Sequence, residues 1–143
     1  MAVIVPNQYP GFEQVLFKLE RANFNVTTDQ PFVVIGGSNS PTVPFGQYYI
    51  TQIRATIDPT STTTNLTTAA GGIYTAASKG GSAIVAAAQA YSTLASLATG
   101  LDLTIAAAGA QPLTGVPILS LTTAQGAASL VNIYIKGIIV TGL

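Results

Sequence analysis

Histidine, cysteine and tryptophan are missing from this 143-residue chain, and only 7% of it is Asp, Glu, Lys or Arg, against about 25% in an ordinary soluble domain. Each absence removes a class of function. Without His or Cys there is no Ser–His or Cys–His nucleophile pair, no zinc site of the usual ligand sets and no disulfide. A formal net charge of zero removes the electrostatic term that dominates nucleic-acid binding and attraction to an acidic membrane surface. The five basic residues do not cluster, which again argues against nucleic acid.

Long apolar runs are also missing. The longest, Ala83–Ala98, is mostly Ala, is broken by Gln89, Ser92, Thr93 and Ser96, and falls short of the roughly 20 apolar residues of a membrane span. Met1–Pro10 has no basic start, and its apolar run Ala2–Val5 is shorter than the roughly 7–15 residues of a signal core. Synthesis in the cytoplasm without a signal peptide is therefore expected, with residues 1–10 as an N-terminal arm and residues 11–143 as one domain.

The few carboxylates, Glu13, Glu20, Asp29, Asp58 and Asp102, are scattered. They suggest neither a two-carboxylate glycosidase pair nor a calcium cage. Asp58, before Pro59, and Asp29, before Gln30-Pro31, are expected to be turn residues that bind nearby backbone. In Lys79-Gly80-Gly81-Ser82 the lysine precedes the glycines, so the phosphate-loop pattern fails and a turn is expected. Asn65-Leu66-Thr67 fits a glycosylation sequon but has no secretory signal beside it. Tyr48, Tyr49, Tyr74, Tyr91 and Tyr134 have the chemistry to stack on sugars, but strand aromatics more often pack in a core or between subunits. No catalytic, cofactor-binding or metal-ligating residue is assigned, and no small-molecule substrate is expected.

What the chain does contain is period-two alternation, the mark of strands. In Gln47–Asp58, Tyr49, Thr51, Ile53, Ala55 and Ile57 form one set. Tyr48, Ile50, Gln52, Arg54 and Thr56 form the other, with Gln52 and Arg54 marking the wetter face. In Ser129–Val140, Val131, Ile133 and Ile135 oppose Asn132, Tyr134 and Lys136, and the β-branched density of Ile133–Val140 favours a strand. Shorter strands are expected at Val15–Glu20, Phe32–Ile35, Gly72–Thr75, Leu101–Ala106 and Pro117–Thr122, separated by Gly/Pro/Ser breakers. Two segments are ambiguous, since Phe12–Arg21 and Ser82–Ala98 also fit helical spacing. For the second, a strand Ser82–Ala88 followed by a short helical turn near Ser92–Leu97 is favoured. Thr60–Thr68 is either a polar loop or a Thr-rich strand. No internal repeat is visible. The sum is an all-β, single-domain sandwich or barrel.

Ten charged side chains must serve a folded surface of about 6,900 Å². Designed soluble domains use about 25–35% charge there, and interface cores are depleted in charge. The composition therefore points to a structural, assembly-forming protein and not to an enzyme.

Three blocks carry a resemblance: Leu19–Asn25 followed by Thr28-Asp29-Gln30, Leu66–Ala87, and Leu119–Ala128. Together they span most of Val15–Gly137 and resemble small tailed-bacteriophage virion proteins of the capsid decoration (cement) type. The resemblance implies a jelly-roll-like antiparallel β-sandwich, often a homotrimer, seated on the capsid exterior with the major capsid protein as partner; it supplies no catalytic residues. A tail or head-fibre adhesion module, or a carbohydrate-binding module, are the alternatives. The apolar ends, Ala2–Val5 and Ile138–Val140, are expected either to add to a neighbour's sheet or to pair within the monomer.

Overall fold

The structure is a computed structural model that describes residues 13–35 and 46–140. The expected N-terminal arm, and Ala2–Val5 within it, lie outside the described residues. Nine strands follow in chain order: β1 (Glu13–Asn23), β2 (Gln30–Pro31), β3 (Val33–Val34), β4 (Tyr48–Ile57), β5 (Ala70–Ala76), β6 (Gly80–Val85), β7 (Gly100–Asp102), β8 (Ile118–Thr123) and β9 (Leu130–Ile139). They form a five-stranded sheet, β3-β1-β9-β4-β7, and a four-stranded sheet, β2-β8-β5-β6. Every pairing is antiparallel. The all-β sandwich expected from the alternation is what forms. The pairs nest: β5 with β6, β4 with β7, β2 with β8, and β1 with β9.

One apolar cluster joins the sheets. Phe17, Ile53, Ile133 and Ile135 come from the first, and Ile73, Val85, Leu119 and Leu121 from the second. Strand β9 shows why alternation identifies it. Val131, Ile133, Ile135 and Ile139 are buried, while Asn132, Tyr134, Lys136 and Ile138 are part-exposed. A one-residue slip would turn the whole apolar set to water.

Strand β4 departs from simple alternation. Ile50 pairs with Gly137 but Gln52 pairs with Lys136, so Thr51 is an extra residue in a bulge. The bulge switches faces. Tyr48 and Ile50 enter the core before it, and Ile53, Ala55 and Ile57 after it, so the expected grouping of Tyr49 and Thr51 with Ile53 is corrected. Strand β1 bulges at the same level, between Val15 and Phe17, and again between Leu19 and Ala22. At the second bulge Arg21 sits at φ 56, held by the Asn132 side chain, whose Oδ1 accepts from the Arg21 N–H at 2.7 Å.

Further corrections follow from where the chain turns. The single strand expected at Phe32–Ile35 is split. Phe32, 4% exposed, marks the crossing from β2 in one sheet to β3 in the other. Ser82–Ala88 is strand only to Val85, and no helical turn forms near Ser92–Leu97. Isolated turns there bond Leu94 N–H to the Tyr91 carbonyl and Thr99 N–H to the Ser96 carbonyl. Buried Tyr91 and Leu94 pin this segment to the core, which overrides the helix propensity of Ala. Among the described residues the 3-10 helix is Ala107–Ala110, just past the point where β7 ends at Asp102, short of the expected Ala106. Thr60–Thr68 is loop. Ile138 and Ile139 do not form a free edge: β9 is the middle strand, Ile138 pairs with both Glu13 and Tyr49, and the Val140 N–H donates to the Gln47 carbonyl.

Candidate functional site

The three aspartates land apart, each in structural work. Asp58, at the end of β4, accepts from the Thr60 hydroxyl at 2.5 Å and the Thr60 N–H at 2.8 Å, and these bonds hold its carboxyl below the usual range. It is the turn residue expected. Asp102 accepts from Arg54 Nη1 at 2.8 Å and Gln52 Nε2 at 3.0 Å, with the same downward effect. Asp29 binds a partner remote in sequence: its Oδ2 accepts from the Ser78 N–H at 2.7 Å. That bond holds its carboxyl below the usual range. Among the described residues no three potential ligands gather to hold a metal.

The Ser78–Lys79 turn brings together polar side chains from three parts of the chain. Both residues have positive φ, 57° and 58°, and Gly80 N–H closes the turn on the Ala77 carbonyl at 3.0 Å. Two left-handed residues in succession suit the twist of a hairpin. Lys79 Nζ donates to Ser120 Oγ at 2.9 Å and reaches the Thr27 carbonyl at 3.5 Å, beside an open cavity of about 380 Å³ lined by Thr27, Thr28, Asp29, Ser78, Lys79 and Ser120. The Ser120 hydroxyl in turn reaches the Thr27 carbonyl at 3.4 Å. The cluster is a clasp that fastens the β5–β6 hairpin to the segment before β2.

The tyrosines divide by burial. Tyr48 and Tyr91 are core residues packed edge-on against Phe17 and Phe24, with ring centroids 5.0 and 4.7 Å apart. Their hydroxyls donate to the Gly115 and Gly71 carbonyls, and burial pushes both phenols up. Tyr74 is 6% exposed. Only Tyr49 and Tyr134 of the five have faces near solvent.

What remains is a surface. The loops 24–29, 58–69, 86–99 and 124–129 meet at one end of the sandwich and are stitched together there. Phe24 N–H bonds the Ser129 carbonyl, Thr63 N–H the Ala128 carbonyl, Leu66 N–H the Leu94 carbonyl and Tyr91 N–H the Ala69 carbonyl. Gln125, 9% exposed, is the central stitch. Its Oε1 accepts from the backbone N–H of Thr67, Thr68 and Ala69 at 3.1, 3.0 and 3.1 Å, and its Nε2 donates to Thr67 Oγ1. Nothing in the sequence pattern singled out Gln125.

This end is nearly free of charge. No Asp, Glu, Lys or Arg lies between Pro59 and Ser78, between Gly80 and Leu101, or between Leu103 and Ile135. Asp58 is buried, Asp29 is engaged in the clasp, and Arg21, exposed near the end of β1, is the cation near Asp58. The exposed residues are mostly Thr, Ser and Ala, with Asn25, Asn65, Pro59 and Gly126 among them and Leu97 51% exposed. The loop 86–99 is longer than ordinary connections, as functional loops tend to be, and it is anchored at both Tyr91 and Leu94.

Comparisons with known protein families, curated proteins and solved structures find no match.

Proposed function

We propose that this protein is a bacteriophage capsid decoration (cement) protein: a homotrimer that binds the outer capsid surface, with the major capsid protein as partner, and reinforces the shell. The observation that carries the reading is the uncharged loop end. A rigid end with almost no exposed charge has the composition of an interface core more than of a solvated surface. The nested pairing of strands is what results from rolling one antiparallel ribbon into two sheets, so we read the sandwich as a jelly roll, an architecture used in viral capsid domains.

The mechanism is multivalent and not catalytic. Three copies of a modest interface act together, so avidity exceeds the affinity of one. Binding to the assembled lattice and not to its dissociated parts stabilises the lattice by mass action. With so little charge at the contact, binding changes little with ionic strength.

Leu97→Glu combined with Ala87→Glu tests the surface. Both positions are exposed, so the fold is expected to survive within about 0.5 kcal/mol, while co-sedimentation with capsids falls at least tenfold. Unchanged co-sedimentation overturns the assignment of this end. Electron microscopy of the native particle tests the location. Density on the capsid exterior supports the reading, and density on a tail or head fibre replaces it with a fibre-anchoring module.

A further inference from the structure

We propose that the outer face of the five-stranded sheet is a second docking surface, recognising acidic side chains of a partner protein. It is distinct from the loop end and does not rest on its assignment. Seven of the chain's ten charged residues lie on this sheet: Glu13, Lys18, Glu20, Arg21, Arg54, Asp102 and Lys136. A chain so sparing of charge concentrates it on one face.

Register defines the arrangement. Lys18 pairs with Tyr134, Tyr134 with Arg54, and Arg54 with Asp102, which makes one row across four strands. Directly opposed residues on neighbouring strands lie about 5 Å apart. Lys136, two residues along β9 from Tyr134, shares its face and pairs with Gln52. Two of the sheet's three carboxylates are engaged at the flanks, Glu20 with Lys18 at 3.1 Å and Asp102 with Arg54 at 2.8 Å; the third, Glu13, stands at the start of β1 opposite Ile138. Lys136, on the middle strand, forms no ion pair among the described residues, although it lies near enough to Asp102 to help lower that carboxyl's pKa. The centre of the face is therefore an ammonium beside a part-exposed tyrosine, with two further cations in the adjacent row. Tyr and Arg are the residues that most often anchor interfaces.

The occupant follows from charge complementarity. A second copy of this face does not fit. A twofold axis along β9 sets Lys18 against Arg54 and Lys136 on itself, and one along the row sets Lys18 on Lys18 and Arg54 on Arg54. A nucleic acid fits poorly because its closely spaced phosphates meet Glu20 and Asp102 at the rim. One or two carboxylates from a protein surface, entering between the rim charges onto Lys136, match the pattern. The site lies about 20 Å along β9 from the loop end, at about 3.3 Å per residue. One molecule can therefore engage a partner at each.

The test is amide shift mapping of the intact protein by NMR, with hexaglutamate as probe at low ionic strength. Shifts are expected on β1, β4 and β9 around Tyr134, weakening several-fold at physiological salt. Lys136→Glu should abolish them, Lys136→Gln should weaken binding at least threefold, and Lys79→Gln, outside the face, should leave it unchanged. Absence of shifts, shifts centred on Lys79, indifference to both Lys136 variants, or an equal response to a short oligonucleotide overturns the proposal. Capsid co-sedimentation of the Lys136 variants, read separately, leaves the loop-end assignment standing or falling on its own.

Discussion

At the scale of single residues, amides do here what charges do in most proteins. Gln125 gathers three backbone N–H groups. The Gln30 side chain pairs with Asn23 in both directions, accepting from its N–H and donating to its carbonyl, each at 2.8 Å. It thereby occupies part of the exposed edge of β1 as a strand would, and unpaired edges invite aggregation. Gln89 accepts from the Thr104 N–H and donates to the Ala90 carbonyl. A neutral amide offers donor and acceptor together and is cheaper to desolvate than an ion. Gln125→Ala leaves the Ala69 N–H, and in part those of Thr67 and Thr68, without an acceptor. A loss of about 2 kcal/mol is expected, measurable as a lower urea midpoint with unchanged slope. Gln125→Glu keeps the acceptor and should lose less at neutral pH.

At the scale of elements, the strands that alternate over many residues were legible in the sequence, and the places where the sheet bends were not. β9 and the body of β4 follow from period two because both have one face in the core. The Thr51 bulge is invisible in β4's own residues. Its companion is Gly137 on β9, where an added Cβ would run into the Tyr49 carbonyl and Leu16 Cδ1. The bulges at Leu16 and Thr51 flank this one glycine from both sides, and its missing side chain admits both. Gly137→Ala is therefore expected to cost at least about 2 kcal/mol by overpacking, seen as a lower thermal midpoint, although Ala is ordinarily tolerated in a strand. Phe32 was legible as apolar but not as the crossing between sheets, because a two-residue strand has no period to read. For the candidate surface, the charge-free stretches could be read directly. That they converge at one end depends on hydrogen bonds between loops far apart in sequence.

At the scale of the whole molecule, charge is sorted: one sheet face carries most of it, one end almost none. Its acid–base behaviour is correspondingly simple. Asp29, Asp58 and Asp102 are held below their ordinary 3.8. Their contribution to stability is complete above that value and is lost as pH falls through their lowered folded values. With no histidine in the chain, no side chain of ordinary pKa titrates between about pH 5 and 8. The thermal midpoint should be flat across that interval and fall only in acid; a step near neutrality would contradict this charge assignment. The sheet order has a consequence for synthesis. β9 is the middle strand, yet it is made long after β1 and β4, the two strands it joins. A nascent chain therefore carries two halves of a sheet with a strand-wide gap between them, closed only when Leu130–Ile139 clears the ribosome. Non-local pairing of this kind folds slowly, and until it closes the gap is open to any extended apolar segment. Three of the outer edges, β2, β3 and β7, are only two or three residues long, and the fourth, β6, is partly covered where the Ala106 N–H bonds the Ile84 carbonyl; while the protein is being made, its vulnerable site is the vacancy at its own centre.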